Sequence, residues 1–179
     1  GPVELTSVTS YQEFSNDSSV DASPLYVPIL NAVLPHPPFP IWGATGVRYG
    51  ITTDKFTQEL RLVSPESDSF EWLLGLYYTD EDSGIDPQVI SPVIAGTEDI
   101  IANFPVLLGE SSVLSTYEEL ALFANATWHV TDRFDLAFGA RASENDQEAS
   151  QTLDGLLAGG PQNFEDVSSS ESPFTYSIS

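Results

Sequence analysis

The chain contains no cysteine, which removes two whole classes of architecture at once. Neither a disulfide framework nor a thiolate metal site is available to it, and the redox state of its compartment leaves no mark on the composition. Basic residues are nearly as scarce: 5 Lys plus Arg stand against 27 Asp plus Glu, for a formal charge of -22. Such a surface repels polyanions, so nucleic acid is excluded as a partner. A third absence is any apolar run of about 18 residues, so no helix crosses a membrane, although strands of a barrel alternate and leave no such run. The beginning of the chain shows no charged segment followed by an apolar one, so no signal peptide is in view.

Enzyme signatures are missing as well. There is no G-x-S-x-G, no H-E-x-x-H and no phosphate-binding Gly-rich loop, and the two histidines, His36 and His129, have no motif around them. The expectation is a protein that is not an enzyme and has no cofactor. Acidic excess alone would suggest disorder, but 41% hydrophobic and 11% aromatic residues describe a folded chain with its acids in solvent.

What is present is alternation. Between Phe56 and Tyr78, FTQELRLVSPESDSFEWLLGLYY, two period-2 runs flank a polar turn. Phe56, Leu60 and Leu62 share a face, as do Phe70, Trp72, Leu74, Leu76 and Tyr78, while Glu59, Arg61 and Glu71 fall on the opposite one. Ser64 to Ser69 is turn chemistry, with Pro65 fixing φ and Asp68 and the serines able to bond their own backbone. A hairpin with one apolar face suits a soluble sandwich or a transmembrane barrel. The run of alternate apolar residues ending in aromatics resembles the lipid band and aromatic girdle of the second.

The same reading gives a first strand at Val3–Phe14, a fourth at Tyr117–Val130 and a fifth at Phe134–Ser143, with a sixth beginning at Phe174. For the EELALFANA portion of the fourth, a helix is a competitor, since these residues are good helix formers. Short turns at 64–69 and 131–133 then alternate with long connections at 15–55, 80–116 and 144–173. The first long connection is Pro-dense, and in the second Thr97 is placed to cap a short helix limited by Pro105 and Gly109. The expected fold is all-β: an antiparallel up-and-down meander, part of a transmembrane barrel, with short turns at one end and long loops at the other.

The strings VELTSVTSYQEF, FTQELRLVSP, WLLGLYY and ELALFANATWHVTDRFDLAFGARAS resemble, in order and spacing, the early barrel strands of TonB-dependent outer-membrane receptors. The resemblance implies a barrel of about 22 strands closed around an N-terminal plug, in the outer membrane of a Gram-negative bacterium. It also implies outer-membrane lipid, the TonB complex (through the plug) and a scarce nutrient such as a ferric siderophore as partners. Residues 1–179 then stand for a segment of the barrel domain, without the plug and most strands. The alternative is an extracellular β-sheet protein that self-associates edge to edge and is derived from such a receptor.

Candidate residues follow from the register. Glu59, Arg61, Glu71 and Arg141 belong to the lumen-facing set, where the arginines pair with carboxylates or meet a plug or solute. Trp42, Arg48 and Tyr49, in the first long loop, are possible ligand contacts. Asp80, Asp82 and Asp86 form a loosely calcium-loop-like run that lacks the distal bidentate Glu, so a solvated acidic loop is the expectation there and no metal is assigned. The apolar surface is expected to hold Leu60, Leu62, Trp72, Leu74, Leu76, Leu120, Leu122, Leu136 and Phe138 on one side of the sheet.

Overall fold

A computed structural model describes residues 1–33, 44–94, 96–97, 99–101, 104–164 and 166–179. Strand β1 spans Glu4–Asp21, helix α1 Ser23–Val33, β2 Ala44–Val63, β3 Phe70–Val93, β4 Gly109–Thr131 and β5 Phe134–Asp154. A 3-10 turn at Leu156–Ala158 and three short strands follow: β6 at Gln162–Asn163, β7 at Val167–Glu171 and β8 at Phe174–Ile178. All strands belong to one sheet with antiparallel neighbours in chain order, β1 to β5. β6, β7 and β8 share the sixth position, each paired with a different stretch of β5. The up-and-down meander is therefore as expected, and EELALFANA lies inside β4 rather than in a helix.

Strand lengths are the main correction. The five long strands run to 18, 20, 24, 23 and 21 residues, whereas a bilayer is crossed by about 9–11. Segments read as long loops, such as SNDSSVD, DEDSGIDPQVISPV and ENDQEASQTLD, continue the ladders instead. They were illegible because the apolar half of the alternation stops while the hydrogen bonding does not. With both faces in water, side chains no longer report the pleat. Pro87 lacks a donor and sits where the β2–β3 and β3–β4 registers both shift, between Ile85 and Gln88, so no regular rung is interrupted.

The expected helix after Thr97 is not there among the described residues. Thr97 Oγ1 donates to the Ile94 carbonyl and accepts from Asp99 N–H, closing a turn that brings Ile100 into a bridge with Val93. The helix lies instead in the Pro-dense segment, as SPLYVPILNAV. Asp21 Oδ1 accepts hydrogen bonds from Ser23 N–H (2.9 Å) and Ser23 Oγ (2.5 Å), and Pro24 follows in the first turn, where a missing donor is harmless. These bonds hold the Asp21 carboxyl below its ordinary range. The helix buries Leu30 completely against Leu108, with Tyr26, Val27, Ile90, Phe104 and Leu157 around them. Connections from three hairpins thus meet in one small core at the loop end.

Register assigns the faces without ambiguity. Opposite residues share a side, so the rung Leu5–Leu62–Leu74–Ala124–Ala140–Tyr176 is one face and Thr6–Arg61–Gly75–Phe123–Arg141–Thr175 the other. All nine residues expected on one surface lie there. Phe174, Tyr176 and Ile178 join them. The two faces differ in crowding. Leu5 and Leu122 are 66% and 64% exposed on the apolar side, whereas Thr79 and Ala121 on the polar side are each 1% exposed. Side chains splay on one surface and shield one another on the other, as on the convex and concave sides of a curved sheet.

Candidate functional site: the polar face

Among the described residues of the polar face, three Lys or Arg side chains pair with carboxylates near in register. Lys55 Nζ lies 2.9 Å from Glu81 Oε2, on residues directly opposite in β2 and β3. Arg61 pairs with Glu59, two residues earlier on the same strand and hence on the same side. Arg141 pairs with Glu119 on β4. Its guanidinium reaches past Ala121, whose small side chain leaves the space, and also stands 5.5 Å from the Tyr77 ring centroid. Tyr117 Oη donates to the other Glu119 oxygen at 3.1 Å. Exposed pairs of this kind contribute little to stability, about 0–1 kcal/mol each, so their main effect is to leave the middle of this wall polar but locally neutral.

All four residues assigned to this face by register, Glu59, Arg61, Glu71 and Arg141, are on it. Their partners differ in part from the expectation. Arg141 uses Glu119, and Glu71 accepts from Ser67 N–H (3.3 Å) and lies 3.9 Å from His129 Nε2. Lys55, Glu81, Tyr77 and Glu119 were not singled out from the sequence. Extending the Phe56 alternation back by one residue and the Tyr78 alternation forward would have put Lys55 and Glu81 on this face.

Arg48 and Tyr49 are not loop residues. Both lie in β2, at consecutive positions beside a register shift. They line, with Asp17, Gly50, Asp86 and Pro87, a recess of about 530 Å³ near the loop end. Trp42 and His36 lie outside the described residues. The acidic run is also corrected: Asp80 and Asp82 are in β3, on the apolar-side register, opposite Phe56 and Glu118 and opposite Asp54 and Thr116 respectively. A strand holds such carboxylates pointing along parallel directions instead of wrapping them round an ion, and no three His, Asp or Glu side chains among the described residues converge on a metal position.

At the short-turn end, past Trp128, His129 Nδ1 is 2.8 Å from Asp135 Oδ1, on the directly opposite residue of β5. Its backbone N–H donates to the Ser69 carbonyl of the 64–69 turn. The hydrogen bond to Asp135 raises the imidazole pKa above its ordinary value, with the charges of Asp135, Glu71 and Asp68 acting in the same direction.

No family model and no curated protein sequence matches the chain. Among solved structures, the ferric yersiniabactin uptake receptor FyuA from Yersinia pestis superposes with a TM-score of 0.63 over 98% of this chain, at 20% identity. The fold is that of part of a β-barrel wall. The chain spans about a fifth of the receptor's length, since the match covers 22% of it. The architecture expected from the resemblance to TonB-dependent receptors is met: one open antiparallel sheet, part of a β-barrel, with one apolar and one polar face.

Proposed function

We propose that the chain is a segment of the barrel domain of a TonB-dependent outer-membrane receptor, whose parent protein takes up a ferric siderophore or another scarce nutrient. The role is transport and not catalysis. The observation that carries this reading is the apolar face, running from β1 through β5 to β8, in a chain that matches the barrel of a ferric yersiniabactin uptake receptor over 98% of its own residues. In this reading the apolar side contacts outer-membrane lipid and the polar side faces the lumen, where a plug engages the TonB complex. The three ion pairs then make a lumen wall that neither traps nor repels a passing charged solute strongly.

The test uses the parent protein. Reconstituted with phospholipid vesicles it should float with them, and it should retain radioactive iron from at least one member of a ferric-siderophore panel. Failure to float would refute the membrane assignment; floating without binding any member would refute only the siderophore. A second reading, an extracellular protein that assembles edge to edge, draws on β1, whose outer side has no partner strand among the described residues. Concentration-dependent fibres of the detergent-free chain would favour it.

A further inference from the structure

The two short turns are tied together through a single imidazole. His129 stands at the end of β4, where the β4–β5 register shifts between His129 and Thr131, and three other elements meet it. β5 supplies Asp135, at 2.8 Å from Nδ1; β3 supplies Glu71, at 3.9 Å from Nε2; the 64–69 turn supplies the Ser69 carbonyl for the backbone N–H, with Asp68 close by. Glu71 in turn accepts from Ser67 N–H, so its carboxylate is shared between the turn and the histidine. The groups facing the ring from the neighbouring elements are thus carboxylates: Asp68, Glu71 and Asp135.

We propose that His129 is a proton-sensitive fastener that tightens the β2–β3 turn onto the β4–β5 hairpin when protonated and loosens it when neutral, the backbone bond to Ser69 remaining in both states. The chemistry follows from the donor inventory of imidazole. Protonated, the ring donates from both nitrogens, to Asp135 through Nδ1 and towards Glu71 through Nε2. Neutral, with Nδ1–H kept on Asp135, the ring presents an unprotonated Nε2 3.9 Å from the Glu71 carboxylate, and the attraction between them is lost. Because the folded state binds the proton more tightly than a free imidazole of pKa 6.5, the fastening is complete below about that pH and is lost as pH rises through the higher folded value. This inference stands on the turn's geometry and is independent of what the parent transports.

The experiment uses the full chain in detergent micelles with His36→Gln, so that His129 is the sole imidazole. Its titration is followed by nitrogen-resolved NMR, and protection of the 64–69 amides against hydrogen exchange, corrected for the intrinsic pH dependence, is measured over the same range. Protection should fall several-fold across the His129 titration, Ser67 included. His129→Gln should make it flat, and Glu71→Gln should lower the His129 pKa and weaken the coupling while leaving the strands folded. Protection that stays constant through the titration, or that changes equally in His129→Gln, would overturn the proposal. Should His129→Gln fail to fold, Glu71→Gln alone decides: an unchanged His129 pKa refutes the clamp.

Discussion

Gly75 and Phe123 face one another across β3 and β4 on the polar side, and the Phe123 ring lies flat over the glycine. A Cβ added at Gly75 would overlap the ring's Cζ and both Cε atoms, far inside van der Waals contact. Gly75→Ala therefore has to swing the ring away. Overpacking of this kind costs about 1–3 kcal/mol, offset in part by roughly 0.5–1 kcal/mol from replacing a conformationally free glycine in a strand. The expected net loss is about 1–2 kcal/mol. Phe123→Ala uncovers the glycine and forfeits up to about 1.5–3 kcal/mol of ring burial. In that background the overlap is gone, so adding Gly75→Ala should now stabilise. Denaturant unfolding in detergent micelles, followed by tryptophan fluorescence from Trp72 and Trp128, gives the four free energies at constant m. The cycle should show a coupling on the order of 2 kcal/mol. Additivity within about 0.5 kcal/mol would refute the reasoning, because it would mean that ring and glycine do not meet.

Other outcomes follow from single contacts. Thr45 is fully buried with its hydroxyl unpartnered, so Thr45→Val should be neutral or stabilising by up to about 1–3 kcal/mol in the same unfolding assay. Leu30→Ala should cost about 2–5 kcal/mol of local stability; hydrogen exchange should show it in Leu157 and Leu108 as much as in α1, since the three share one core. Acidification should fray the start of α1: Asp21 is held below its ordinary 3.8 by Ser23, so its contribution is intact above that pH and disappears as pH falls through the lower folded value, visible as faster Ser23 amide exchange. Leu122→Arg should destabilise insertion into vesicles by about 2–4 kcal/mol if the apolar face meets lipid, and should be nearly silent in a detergent-free soluble sheet. Without detergent, the bare sheet, with Leu5, Leu122 and Phe174 about two-thirds exposed, should not sediment as a folded monomer.

The sequence announced the lower half of this sheet and concealed the upper half. From Phe56 to Val63 and from Phe70 to Tyr78, one face meets apolar surroundings and the other water, so period 2 is written into the residues, and with it the meander order and the side of each arginine. Beyond Asp54 and Asp80 the apolar alternation lapses until the buried Thr45, Val47 and Val93, and Ser, Thr, Asp and Glu are acceptable on either face. The ladder continues on backbone bonds that composition does not record, so Arg48 and Tyr49 looked like loop residues. The site was legible to the same extent. The face of Arg141 follows from parity, but its choice of Glu119 depends on Ala121 being small, a relation between strands that no single strand displays. Helix α1 was hidden by its own prolines, because Pro24 is harmless only once Asp21 and Ser23 are known to begin the helix.

The excess length of the strands makes the upper sheet a stiff mast. A strand of about 20 residues tilted by about 45° rises on the order of 45 Å, and the lipid band takes about 25 Å of that. In the proposed membrane reading the remainder, roughly 20 Å, would stand clear of the bilayer as hydrogen-bonded wall, carrying α1 and the Leu30 core at its top. In that reading a solute approaching from outside would meet the elevated crown before it met the membrane. The crown could then change its residues without disturbing the apolar band below.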